Sequence, residues 1–188
     1  TYTLQTEKGY QYFRLHILAN NGAHITQFAE WQLHGRYYFD RFYNDATTNG
    51  GELTSSQDTE INSQRLKALT DNNGNSFYTM STTVLPVWVQ YKSTMPVQLK
   101  AYSITAADDK NKDPRAWTLQ GSNDGEQWTT INTRSNISFS MRGERKIYPI
   151  SNDTQYTYFR LNITQLASPS DDEVRMAEWE LHGNGLQA

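Results

Sequence analysis

The sequence predicts an all-β fold, a sandwich or barrel of short antiparallel strands, and three observations carry that prediction. Apolar residues recur at every second position over short runs, rather than at helical spacing. Clusters of Asn, Asp, Gly and Pro punctuate those runs at short intervals. Aromatic residues make up 13% of the 188 residues, as 12 Tyr, 7 Phe and 5 Trp. That is enough bulky apolar area for a core although mean hydropathy is -0.79.

The elements follow in order. "VWVQYK" (87–92) and "AYSITAA" (101–107) alternate and read as two strands. "AWTLQGSNDGEQWTTI" (116–131) places Asn-Asp-Gly between two Trp-bearing runs, a strong hairpin signal. "RKIYPI", "YTYFRLNI" and "AEWELHG" read as three further strands. One short helix is expected, "NSQRLKALTD" (62–71), with Leu66 and Leu69 on one side.

The chain also repeats itself. "AEWQLHG" (29–35) returns as "AEWELHG" (177–183), and residues 1–17 align with 147–163 through the shared "YFRL". A solenoid repeats every 20–50 residues or so; an offset of 146–148 positions is the size of a whole domain. Residues 1–35 therefore read as the C-terminal remnant of an upstream homologous domain, and 36–188 as one complete copy. Within the second, "RYYFDRFY" (36–43) holds five aromatics in positions 37–43. It reads as filler at the junction, with a sugar-stacking platform as the alternative.

Composition narrows the function. A net charge of -3 with no basic stripe argues against capture of nucleic acid or an anionic membrane. Having no cysteine excludes disulfides, thiolate zinc sites and a cysteine nucleophile. No apolar run approaches the ~20 residues that span a bilayer. The chain opens on Thr1 and reads as a piece of a longer protein, its targeting signal outside it.

The stretch Leu69 to Ser76 concentrates oxygen donors, which suits a hard cation such as calcium; Gly74 would let the chain curl so that carbonyls converge. It is not an EF-hand, because its twelfth position is Thr82 rather than Glu. A plain polar turn is the alternative reading. His16, His24, His34 and His182 form no paired metal motif, and His34 and His182 sit at strand ends in the two repeats. No nucleophile elbow or phosphate loop is present, and adjacent carboxylates such as Asp108-Asp109 and Asp171-Asp172 do not specify a hydrolytic pair. Catalysis is not expected.

"RLKALTDNNGNSFYT", "VWVQY", "DPRAWTLQGSNDGEQWTTI", "YFRLNI" and "AEWELHG" together resemble the discoidin domain, or coagulation factor V/VIII type C domain. They look closest to its bacterial members in carbohydrate-binding module family 32. The resemblance covers about residues 37–183 and implies a jelly-roll-like β-sandwich of about eight antiparallel strands, with binding loops at one end. It also implies a structural calcium. The donors would be Asp71, the Asn73 carbonyl, Ser76 in place of the usual Thr, and Glu178, with the carbonyls of Ala68 and Ala177 completing the shell.

For a sugar, the loops 81–86, 107–114, 135–146 and 166–173 are the candidates, with Asp108, Asn111, Lys112, Phe139 and Arg142 as ligand-binding residues. Solvated loop residues are the alternative reading. Galactose-binding members tend to carry a His in the first loop, an Arg and an Asn in the second and an aromatic in the last. This chain lacks the His, the Arg and the last aromatic, which weakens galactose as the ligand.

The expected function is a non-catalytic carbohydrate-binding module that targets a secreted bacterial glycoside hydrolase to glycans. The alternative is a structural or protein-interaction spacer without sugar binding. The implied partners are a glycan and the parent catalytic domain, with a possible dimer through residues 1–35. The implied location is secreted, periplasmic or cell-surface.

Overall fold

The computed structural model describes residues 13–20, 22, 24–28, 31, 43–57 and 65–185. The described strands are β1 (Asn44–Asp45), β2 (Glu52–Ser55), β3 (Tyr78–Ser81), β4 (Val87–Ala106), β5 (Pro114–Ser122), β6 (Thr129–Arg134), β7 (Arg145–Pro149), β8 (Gln155–Leu166) and β9 (Glu173–Gly185). All pairings are antiparallel, with the main order β1-β9-β4-β8-β5-β6. The hairpin expected at 116–131 is β5–β6.

The two strands read at 87–92 and 101–107 are one 20-residue strand. Its first part, Val87–Lys92, pairs with β8 and β2; it pairs with β9 from Val97 and with β7 from Ala101. The partners change across an irregularity between Lys92 and Val97. Pro96 lies in that gap and has no N–H to offer a ladder. One strand thus serves two leaves: β2-β4-β8-β5-β6, and β7-β4-β9 with β1 and β3 added on β9.

The core lies between the leaves and is built by alternation. On β8, Phe159, Leu161 and Ile163 are fully buried while Tyr158, Arg160 and Asn162 between them are partly exposed. Burying each such apolar side chain contributes about 1.5–3 kcal/mol. Trp117 donates from Nε1 to Tyr102 Oη at 2.8 Å, and Tyr102 donates to Asn132 Oδ1 at 3.0 Å, whereas Trp179 Nε1 and Tyr148 Oη are buried without a partner among the described residues.

β9 holds the deviation that matters most for the site. Val174 and Met176 face the core, yet so do Trp179 and Leu181, which breaks strict alternation. The ladder with β4 pairs Ala106 with Met176 and Thr105 with Glu178, skipping Ala177. This bulge shifts the phase by one residue. Without it Glu178 and Glu180 would point into the core. With it they share the opposite face, and Trp179 and Leu181 fill the interior.

The helix read across 62–71 is described from Arg65. A helical turn at 65–66 tightens into a 3-10 turn at Lys67–Thr70, and Leu66 and Leu69 are both buried. In the first repeat, Phe13 to Asn20 form no strand. Phe13, Leu15 and Ile17 are 52%, 49% and 42% exposed, whereas their repeat counterparts Phe159, Leu161 and Ile163 are each 0%. The apolar pattern is the same; no strand among the described residues pairs with it. Glu30, His34, the aromatics at 37–42 and the 35/36 boundary lie outside the described residues.

Candidate functional site

The β9 bulge delivers Glu178 to the loop that follows the 3-10 turn at 67–70. Glu178 is 6% exposed. Its Oε1 accepts the Asn73 N–H at 2.7 Å, and its Oε2 is buried with no hydrogen-bond partner. Asp71 Oδ1 accepts the same N–H at 2.9 Å. Ser76 Oγ lies 3.0 and 2.8 Å from the two Asp71 carboxylate oxygens and 2.8 Å from the Asn73 carbonyl oxygen. A hydroxyl has one proton and can satisfy only one of these three acceptors. The chain curls at Asn72, whose φ is 57°, and not at Gly74 as the sequence suggested; Asn tolerates the left-handed region.

Burial raises the Glu178 carboxyl to about 8, and the neighbouring Asp71 carboxylate adds to the shift. Among the described residues no three His, Cys, Asp or Glu side chains converge as a metal cluster. The donors that do converge are two carboxylates, a hydroxyl and a carbonyl. Ala177 adjoins Glu178 at the bulge, and Ala68 lies in the 3-10 turn. This crowd of acceptors with one orphaned carboxylate oxygen fits a hard cation.

The four loops meet at one end of the sandwich. Asp113 and Asn111 carbonyls accept the N–H groups of Ala167 and Ser168, Ala106 accepts from Gly143, and Asp172 accepts from Thr82. The charged side chains there are largely spent on one another. Asp108 pairs with Arg175 at 3.1 Å and Lys112 with Glu173 at 2.6 Å. Arg142 binds Asp113 through two bonds of 2.8 and 2.7 Å. Burial pushes the Asp113 carboxyl up, and Arg142 opposes that shift. Phe139, read as a ligand contact, is only 8% exposed and belongs to the core cluster, so it has no ring face to offer. Of the five candidates, Asn111 keeps an exposed side chain without a hydrogen-bond partner. Val84, Leu85 and Met141 add exposed apolar surface to these loops.

Beside the cation loop lies a polar cleft of about 240 Å³ lined by Asp45, Asn72, Arg145, Glu180 and His182, among others. Glu180 accepts from Arg145 Nε and Ser103 Oγ, and Arg145 Nη2 lies 3.0 Å from His182 Nε2. The sequence did not single out Asp45, Arg145 or Glu180. The only local signal is for Glu180, from the period of two that sets Glu178, Glu180 and His182 on one face of β9.

This architecture defines a loop-crowned jelly-roll sandwich with a candidate cation loop at its edge. The family model of the F5/8 type C domain matches residues 52–179, and the chain belongs to that family. Among solved structures, CBM32-3 from a family 31 glycoside hydrolase of Clostridium perfringens superimposes with a TM-score of 0.65 at 15% identity, covering 80% of this chain and 100% of that one. The F5/8 type C domain of a Bacteroides fragilis protein gives 0.62 at 18%, covering 77% and 98%. CpGH89CBM32-5 of Clostridium perfringens, in complex with GalNAc-beta-1,3-galactose, gives 0.59 at 15%, covering 72% and 96%. At these identities the likeness is one of fold. A curated relative, the peptide-N(4)-(N-acetyl-beta-glucosaminyl)asparagine amidase of Arabidopsis thaliana, is 37% identical over 68 residues, which span 34% of this chain and 9% of that protein. No described helix is long and apolar enough to cross a membrane.

Proposed function

We propose that this domain is a non-catalytic carbohydrate-binding module, and that it brings a secreted glycoside hydrolase to its glycan. The observation that carries the reading is the gathering of four loops at one end of an F5/8 type C sandwich. Structural neighbours of this shape include a module in complex with a GalNAc-containing disaccharide and another in complex with galactose. Shallow sites with few contacts bind at about 0.1–1 mM, or about -4 to -5 kcal/mol. Chemical-shift titration with terminal hexoses and amino sugars is expected to move Asn111 and the loops around it. No shift at millimolar sugar would remove the reading.

The module carries a structural calcium ion held by Asp71, the Asn73 carbonyl, Ser76 and Glu178, with the carbonyls of Ala68 and Ala177. The ion would supply the charge that the two carboxylates and the orphaned Glu178 Oε2 lack, fixing the loop to β9. Residues 1–35 belong to an upstream copy, and tandem copies raise avidity on a repeating glycan; detached from that copy, 1–35 mediates a dimer. The spacer reading is favoured by one observation: Asp108, Lys112 and Arg142 are engaged with partners of their own. An empty glycan array together with a folded, calcium-responsive domain would select it.

A further inference from the structure

The outer face of the β2-β4-β8-β5-β6 leaf, away from the loops, carries a cation that no acidic side chain among the described residues neutralises. The Arg160 guanidinium lies 4.4 Å from the Trp88 ring centre and 3.9 Å from that of Trp128. Its Nε and Nη2 both donate to Gln90 Oε1, at 3.2 and 2.8 Å. Arg142, Arg145 and Arg175 each have a carboxylate partner; among the described residues Arg160 has none. Burial alone lowers its pKa, with no acidic neighbour opposing the shift. Two indoles and one amide therefore hold a charged group in place without a counter-charge.

The surrounding groups form rows across the strands. Trp88, Asn162 and Thr118 are aligned, then Gln90, Arg160 and Gln120, then Lys92, Tyr158 and Ser122. Neighbouring strands lie about 4.8 Å apart, so each row crosses three strands over about 10 Å. The Asn162 and Gln120 amides make no hydrogen bond within the described structure, and Thr118 Oγ1 is buried without a partner. Lys92 adds a second cation over the Tyr158 ring at 5.6 Å. The nearest acid in register is Glu52, opposite Lys92 on edge strand β2.

We propose that this face is a second binding surface, separate from the loop end, for a carboxylate-bearing sugar chain. A uronate carboxylate supplies the counter-charge to Arg160, whose Nη1 has no other acceptor. The hydroxyls meet the Asn162 and Gln120 amides, and apolar C–H faces pack on Trp88, Trp128 and Tyr158. An extended β-1,4-linked chain presents alternating C–H faces and hydroxyls that can run along these rows. A polyphosphate does not match, because it has no apolar C–H face to pack on the indoles and no hydroxyls to meet the amides.

The test titrates the full chain with a β-1,4-linked glucuronate trisaccharide and with cellotriose, which has the same rings and linkages but no carboxylate. The charged sugar is expected to shift β4, β8 and the Trp128 indole, to bind at least tenfold more tightly than cellotriose, and to weaken with salt. Gln120→Glu places a carboxylate opposite Arg160. It is expected to keep or raise the melting temperature and cut uronate affinity at least tenfold, and Arg160→Gln is expected to do the same to affinity. Equal binding of the two sugars, shifts confined to the loop end, or unchanged affinity in a folded Gln120→Glu protein would overturn the proposal. Loop-end shifts with neutral sugars test the first site independently.

Discussion

Glu178→Gln is the substitution that reads the cation loop most directly. In the metal-free protein the Glu178 carboxyl is raised to about 8 by burial and by Asp71. A raised carboxyl keeps its proton in the folded state while the unfolded chain has released it. Metal-free stability therefore falls as pH rises from about 4.5 to about 8, and this group adds no slope outside that window. At about 1.36 kcal/mol per pKa unit the ceiling is about 5 kcal/mol. Asp71 is exposed and its loop can relax, so about 2 kcal/mol is the working figure. Gln keeps the Asn73 N–H bond of 2.7 Å and can donate to Asp71. In chelator at pH 8 the variant should melt about 4–8 °C above wild type, at roughly 2–4 °C per kcal/mol, and the two should converge near pH 4.5. Calcium at a hundred times its Kd stabilises wild type by about 2.7 kcal/mol and should leave the variant unmoved. Thermal melts by circular dichroism at pH 4.5 and 8, with chelator or calcium, measure all four conditions. If chelated wild type melts equally at both pH values and the variant is no more stable at pH 8, the two carboxylates are not in conflict and the argument for a cation fails.

Four other outcomes are expected. Arg142→Ala leaves Asp113, 2% exposed, as an uncompensated buried carboxylate, so urea denaturation should show a loss of about 3–5 kcal/mol, and Arg142→Ala with Asp113→Ala should lose less. Gly183→Ala puts a Cβ 2.4 Å from the Gln98 carbonyl oxygen and 2.8 Å from Val97 Cγ1, and should cost about 1–3 kcal/mol. Gly74→Ala meets nothing within 4 Å and should be neutral, or stabilising by up to about 1 kcal/mol, with its calcium response intact. Deleting residues 1–35 should leave a folded, calcium-responsive monomer by circular dichroism and light scattering, because the core cluster lies within 46–181; failure to fold would show that the segment is integral.

The strands were legible because their signal is local. Phe159, Leu161 and Ile163 alternate with polar residues whatever they pack against, and Asn-Asp-Gly marks a turn without knowledge of its sheet. The cation loop was legible for a similar reason: Asp71, Asn73 and Ser76 are near neighbours in the chain, and the doubled "AEW" drew attention to Glu178. Other features needed the third dimension. The joining of 87–92 and 101–107 depends on two leaves sharing one strand. The bulge at Ala177 turns Glu178 outward only because Trp179 and Leu181 must reach the same core as Val174 and Met176. The ion pairs Asp113–Arg142, Lys112–Glu173 and Asp108–Arg175 join residues 29, 61 and 67 positions apart, and no local spacing announces them. Arg160 meets Trp88 and Trp128 from different strands and a turn. The sharpest contrast is "YFRL" itself. The same four letters are buried at 159 and 161 and exposed at 13 and 15, because alternation specifies which side chains can face a core, while burial requires a second sheet to cover them.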